Sequence, residues 1–284
     1  MKAKILLLAV MLGGFALYGC DSDDNKKTEA SAKYQEALKA KHPNAQQISW
    51  EKKGDYFVAE FRRNDPQGEA ESWFDLLAEW KMTVTEINYQ SLPQAVINAL
   101  KASPYAQWRI DDIKMVERNN MEVIYVIEVE QKTEEYDLYF TAAGVLVKAV
   151  PDKDENDGDK FISGQATAKI HVAINKRYPQ ARILDIEYED KMIEVEIIDG
   201  IARREVFLSL DGAWLHTKTE IKVKDVPHKI FYILKESEFG AYPIDDVDFF
   251  ETPDEEYYLF ELEAEPEDIL VKILTDGTIV ALKP

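Results

Sequence analysis

Cysteine is almost absent: the 284 residues hold one, Cys20. No disulfide can form within the chain. Histidine is nearly as scarce, and His42, His171, His216 and His228 are scattered without the short helical or strand spacing that a metal pair needs. Neither a Gly-Xaa-Ser-Xaa-Gly elbow nor a glycine-rich phosphate loop occurs. Positive charge is in deficit. Against 54 acidic residues stand 34 basic ones, a net charge of −20, which repels a polyanion and offers no basic stripe to release counterions, so nucleic acid is excluded as a partner. The apolar run Ile5 to Leu17 is 13 residues long, short of the roughly 20 that a membrane-crossing helix requires.

What is there begins at that run. Lys2 and Lys4 precede it, Leu17, Tyr18, Gly19 and Cys20 close it, and Asp21, Ser22, Asp23 and Asp24 follow. An aliphatic residue, a variable one, a small one and Cys resemble the boundary of a bacterial lipoprotein signal. The resemblance implies that residues 1–19 are cleaved and that Cys20 becomes the lipidated first residue, which commits its thiol and anchors the protein to a membrane. Residues 20–30 form an acidic tether, and the acids after the cysteine resemble a surface-export tract of some Gram-negative anaerobes, the alternative being the inner-membrane retention signal that an Asp directly after the cysteine resembles in enteric bacteria. The expected location is the cell envelope, as an outer-membrane lipoprotein facing the periplasm or the surface. Losing residues 1–19 removes Lys2 and Lys4 and no acid, so the net charge becomes −22, which favours solubility.

With 46% hydrophobic and 11% aromatic residues, the remaining chain can build real cores and is long enough for two domains. Repeated turns agree. Ala78, Gly144, Gly212 and Gly277 are 66, 68 and 65 residues apart, each preceded by a helical stretch near a proline (Pro43, Pro93, Pro179, Pro227) and then by short strands. Strand alternation shows in Ile193, Val195 and Ile197 against Glu194 and Glu196, and in Tyr258, Phe260 and Leu262. Helical spacing shows in Ile170, Ala173 and Ile174, in Val96 and Leu100, and in Ile230, Ile233 and Leu234. Trp80 to Trp214 and Pro93 to Pro227 both span 134 residues, so a two-unit domain is duplicated. The expectation is an α+β fold of tandem units, each a helix followed by a four-stranded antiparallel sheet. Residues 31–150 make the first two-unit domain, 151–160 an exposed linker and 161–284 the second.

This doubled α-then-four-strand unit, with endings such as Phe207-Leu208-Ser209-Leu210-Asp211-Gly212, resembles the PepSY-like family of the β-lactamase-inhibitor-like (BLIP-like) fold over residues 31–284. The resemblance implies an envelope protein whose sheet surface binds other proteins, in PepSY relatives with a suggested restraining role on peptidases. It carries no catalytic residue and no cofactor.

Acidic pairs such as Glu194 with Glu196 and Glu261 with Glu263 share a strand face where a glycosidic acid and base could sit, but with 54 acids they read as solvated faces. In the linker, Asp152, Asp154 and Asn156 match the first ligands of a calcium loop; Asp157 then replaces its glycine and Ser163 its closing Glu, so plain linker is expected and no metal site. Strand parity turns Trp73, Tyr139 and Phe207, each five residues before a repeated turn, toward solvent. Tyr56 and Tyr257 extend this row. Exposed rings across a sheet predict a contact surface for a protein or peptide partner, since such rings dominate interface energetics. A carbohydrate-binding lipoprotein is the alternative, because Trp and Tyr platforms also stack on sugars.

Overall fold

The computed structural model describes residues 29–151 and 159–282; Cys20, the acidic tract and Asp152 to Asp157 lie outside them. Four short helices fall where the i, i+4 apolar pairs stand. They are α1 (Ala32–Lys41), α2 (Gln94–Ala102), α3 (Ala168–Arg177) and α4 (His228–Lys235), burying Tyr34 with Leu38, Val96 with Leu100, Ile170 with Ile174 and Ile230 with Leu234. Pro93 and Pro227 cap α2 and α4 at their N-termini, where a missing N–H costs nothing. Helices of 8 to 10 residues are marginal alone, so the sheet beneath them holds them in place.

After α1 come β1 (Gln46–Lys53), β2 (Tyr56–Asn64), β3 (Gln67–Phe74) and β4 (Trp80–Glu86). After α2 come β5 (Arg109–Arg118), β6 (Ile124–Gln131), β7 (Glu134–Thr141) and β8 (Leu146–Pro151). The second half repeats the plan. Following α3 are β9 (Arg182–Tyr188), β10 (Met192–Asp199), β11 (Ala202–Ser209) and β12 (Trp214–Glu220), and following α4 are β13 (Ile244–Glu251), β14 (Glu256–Leu262), β15 (Ile269–Leu274) and β16 (Ile279–Leu282). The four-stranded sheets expected from the sequence are halves of larger ones. β4 pairs with β5 and β12 with β13, giving two antiparallel eight-stranded meanders, sheet A (β1 to β8) and sheet B (β9 to β16).

Each sheet buries one face under its two helices. Tyr34 and Leu38 meet Phe61 and Phe74; Val96 and Leu100 meet Ile127 and Phe140; Ile170 and Ile174 meet Ile193 and Val195; Ile230 and Leu234 meet Phe260 and Ile273. All four repeated turn residues, Ala78, Gly144, Gly212 and Gly277, have positive φ. The turns also tie the helices down. Lys33 donates to the Leu76 carbonyl at 2.6 Å, Lys229 to that of Asp276 at 2.8 Å, and Lys169 to that of Leu210. Between the two helices of each half runs a polar seam. In sheet A the His42 ring lies 2.9 Å from the Thr83 hydroxyl, and in sheet B the Tyr178 hydroxyl lies 2.9 Å from that of Thr217.

A fifth apolar cluster lies on the helix-free, outer side of sheet A. It joins Val58, Trp73, Met82, Val116, Ile124 and Val126 to Phe161 and to Leu184 and Ile198 of sheet B. The two halves are pinned there by polar contacts as well. Arg118 reaches Asp185 at 3.2 Å and the Leu184 carbonyl, Arg182 meets Glu122 at 2.7 Å, and the Glu122 N–H donates to the Ile183 carbonyl at 2.8 Å. The Gly164 N–H donates to Ile186, so the open edge of β9 is covered by the chain's own backbone.

Candidate partner-binding face

Residues with even alternation divide the expected ring row between two sheets, and the sheets treat it differently. Trp73, Tyr56 and Tyr139 stand on the outer face of sheet A, as parity requires, but they do not form a free surface. Trp73 is 2% exposed, and Met82, Val116 and Ile124 beside it are 1%, 1% and 4% exposed. Tyr56 packs edge-on against Trp73 at 5.8 Å and Tyr139 faces Phe161 at 6.3 Å, both partly buried in the same cluster. The expectation of solvent exposure is corrected for Trp73, which is buried; Tyr56 and Tyr139 are partly buried beside it. Alternation along a strand fixes which side a ring points to; it carries no information on whether another segment covers that side. The covering segment is Phe161, 5% exposed, from the 3-10 turn Asp159–Phe161. Ser163, which stands where a calcium loop would need its closing Glu, accepts from the Ile186 N–H at 3.0 Å.

Sheet B leaves its row open. Phe207 on β11 and His216 on β12 are register partners with rings stacked at 4.3 Å and 14°. His216 lies 6.1 Å from Phe250 on β13, which stacks on its partner Tyr257 on β14 at 5.0 Å and 9°. The Lys272 ammonium on β15 sits 4.2 Å over the Tyr257 ring. These rings are half-buried by one another, which preorganises them, and each stacked pair contributes roughly 0.5–1.5 kcal/mol beyond its area. Phe207 and Tyr257 were legible from parity; His216 and Phe250 were not singled out. The signal for Phe250 was available, since Val247 alternates with it on the buried side.

Toward β9 and β10 the same line continues in carboxylates. Glu194 pairs across strands with Phe207 on one side and with Glu187 on the other. Burial raises the Glu194 carboxyl above its ordinary range, and Glu205, Glu187 and Glu196 push it further. Burial likewise raises Asp248, against the pull of Lys218, and lowers His216, which favours a neutral ring. The nearby cations are engaged. Lys218 bridges Glu205 and Asp248 at 3.5 Å each, Arg203 holds Glu196 at 2.6 Å, and Lys272 pairs with Glu255. A groove of about 600 Å³ on sheet A is lined by Lys53, Glu60, Glu71, Glu86, Lys114 and Phe161 among others. It offers charged walls and no ring row. Among the described residues no helix is long and apolar enough to cross a membrane, and no three His, Cys, Asp or Glu converge as metal ligands would.

Two helix-backed antiparallel meanders, the second with its ring row on the helix-free face, define the fold. The chain belongs to the family described as "Putative beta-lactamase-inhibitor-like, PepSY-like", which matches residues 55–148, 162–206 and 191–280. Among solved structures, a BLIP-like protein from Bacteroides fragilis is 38% identical over 46% of this chain and 92% of its own, with a TM-score of 0.44. A DUF2874 family protein from Bacteroides ovatus is 29% identical over 47% of this chain and 97% of its own, TM-score 0.44. A Bacteroides eggerthii protein described as one of the "putative periplasmic proteins" is 28% identical over 44% of this chain and 90% of its own, TM-score 0.40. No curated protein matches.

Proposed function

We propose that this protein is a non-catalytic, lipid-anchored envelope module that holds another protein or peptide on the outer face of sheet B, in the manner of an enzyme or peptidase inhibitor. The observation that carries the reading is the stacked, uncovered row of Phe207, His216, Phe250 and Tyr257. Rings already ordered by their neighbours lose little rotamer freedom on binding, and rings of this kind supply most of the energy in protein interfaces. Trp73, Tyr56 and Tyr139 support the fold in this reading and do not touch the partner. The Trp platform that favoured a carbohydrate ligand is thereby removed from the surface. Lipid on Cys20 would tether the module at an outer membrane, facing the periplasm or the cell exterior, and Cys20→Ser would release it to the soluble fraction.

Affinity purification from intact envelopes tests the reading. A Phe207→Ala, Phe250→Ala double variant is expected to keep its melting midpoint within a few degrees and lose a protein that the wild type retains. Retention of that protein by a folded double variant would refute the assignment.

A further inference from the structure

Building on the docking reading, the molecule's own interior indicates what chemistry docks. On sheet A the strand-by-strand sequence of outer-face residues is Glu51, Val58, Trp73, Met82, Val116, Ile124 and Tyr139, linked by cross-strand partners or diagonals. Its counterpart on sheet B, in the same strand order, is Glu187, Glu194, Phe207, His216, Phe250, Tyr257 and Lys272. The first row is filled by a short stretch of this chain: Phe161 faces Tyr139 at 6.3 Å within the cluster that contains Trp73, Ile162 packs against that cluster, and Lys160 bonds the outer-face carboxylate of Asp137 at 2.7 Å. An aromatic side chain is therefore a ligand that the outer face of sheet A holds; the acid that Lys160 meets, Asp137 on β7, has Leu270 as its counterpart on β15, so any cation on sheet B is left to Glu187 and Glu194.

The second row differs in one respect that bears on charge. Where sheet A has one acid and one valine, sheet B sets Glu187 directly opposite Glu194. Like charges facing across strands destabilise a sheet, and among the described residues neither carboxylate has an ion-pair partner. Glu194 is crowded further by Glu205 and Glu196, with the Lys218 charge opposing them in part. We infer that the outer face of sheet B binds an extended cationic segment of a partner polypeptide, an aromatic or large aliphatic side chain seating on the Phe207 to Tyr257 row and adjacent Lys or Arg meeting Glu187 and Glu194. The contact between the halves lies on the same strand, since Ile198, four residues along β10 from Glu194, packs into the sheet A cluster. A free peptide cannot compete for sheet A at ordinary concentrations, because the resident Phe161 is covalently tethered there.

Three synthetic peptides titrated against the full chain by fluorescence anisotropy decide the matter: acetyl-Lys-Lys-Phe-Ile-Lys-amide, acetyl-Glu-Glu-Phe-Ile-Glu-amide and acetyl-Lys-Lys-Ala-Ala-Lys-amide. The first is expected to bind at least tenfold more tightly than either of the others, to weaken with added salt, and to lose affinity severalfold on Glu187→Gln, Glu194→Gln. Phe250→Ala should abolish its binding and Phe250→Tyr should retain it. Equal binding of the basic and acidic phenylalanine peptides, with both lost in Phe250→Ala, overturns the cationic assignment and leaves the docking face standing. Binding that ignores Phe250→Ala overturns both. If the first peptide fails to bind at millimolar concentration the inference is wrong, while the envelope purification still judges the docking reading separately. Should Phe250→Ala not fold, the glutamine variant, altered only at outer-face carboxylates, carries the test of charge.

Discussion

His42 is held neutral by its surroundings. Burial lowers its pKa to about 4, helped by the Arg63 and Lys41 charges and opposed by Glu117. The unfolded chain takes up the proton near pH 6.5 while the folded one does not. Stability should therefore fall as the pH drops from about 6.5 toward 4, and the part due to this ring is modest because solvent screens a half-exposed group. Thermal midpoints at pH 7 and pH 5 check this. His42→Gln is expected to lose less between the two than the wild type, and parallel losses would exclude the ring as a cause. The equivalent place in the second half holds Tyr178, whose hydroxyl bonds Thr217 and Glu251 without any charge change in that range.

Turns show how far local chemistry reaches. Three of the four repeated turn positions are glycine, which adopts positive φ freely, and the fourth is Ala78 at φ 64. An L-residue there costs roughly 1–2 kcal/mol, partly offset by the greater freedom of glycine in the unfolded chain. Ala78→Gly is expected to stabilise sheet A by about 0.5–1 kcal/mol in urea unfolding, and no gain would mean the strain is relieved elsewhere. The same periodicity made the fold readable: turn spacing, i, i+4 pairs and period-2 strands gave the α+β class, the helices and the inward faces. Fusion of four strands into eight was not readable, because nothing in β4 or β5 alone marks a partner across the α2 connection. Site residues divide the same way. Phe207 and Tyr257 follow from alternation, whereas Trp73 is buried in a cluster completed by Phe161, Leu184 and Ile198, all far away in the chain.

Across the whole molecule, Phe161 acts as a keystone between the halves. It touches the outer row of sheet A within a cluster that also contains Leu184 and Ile198 of sheet B. Truncating a buried aromatic costs roughly 3–5 kcal/mol. Phe161→Ala is expected to lower the urea midpoint, shift Trp73 fluorescence to the red and separate one unfolding transition into two. An unshifted Trp73 spectrum would show that the ring is shielded by other means.

The filling of one face also fixes how the duplicated chain can grip. Two matching plates might have given bivalent attachment, yet the molecule has turned one plate inward to fasten itself together. Under the docking reading each copy is therefore expected to saturate at a single equivalent of ligand, the second half adding size and rigidity without multiplying avidity.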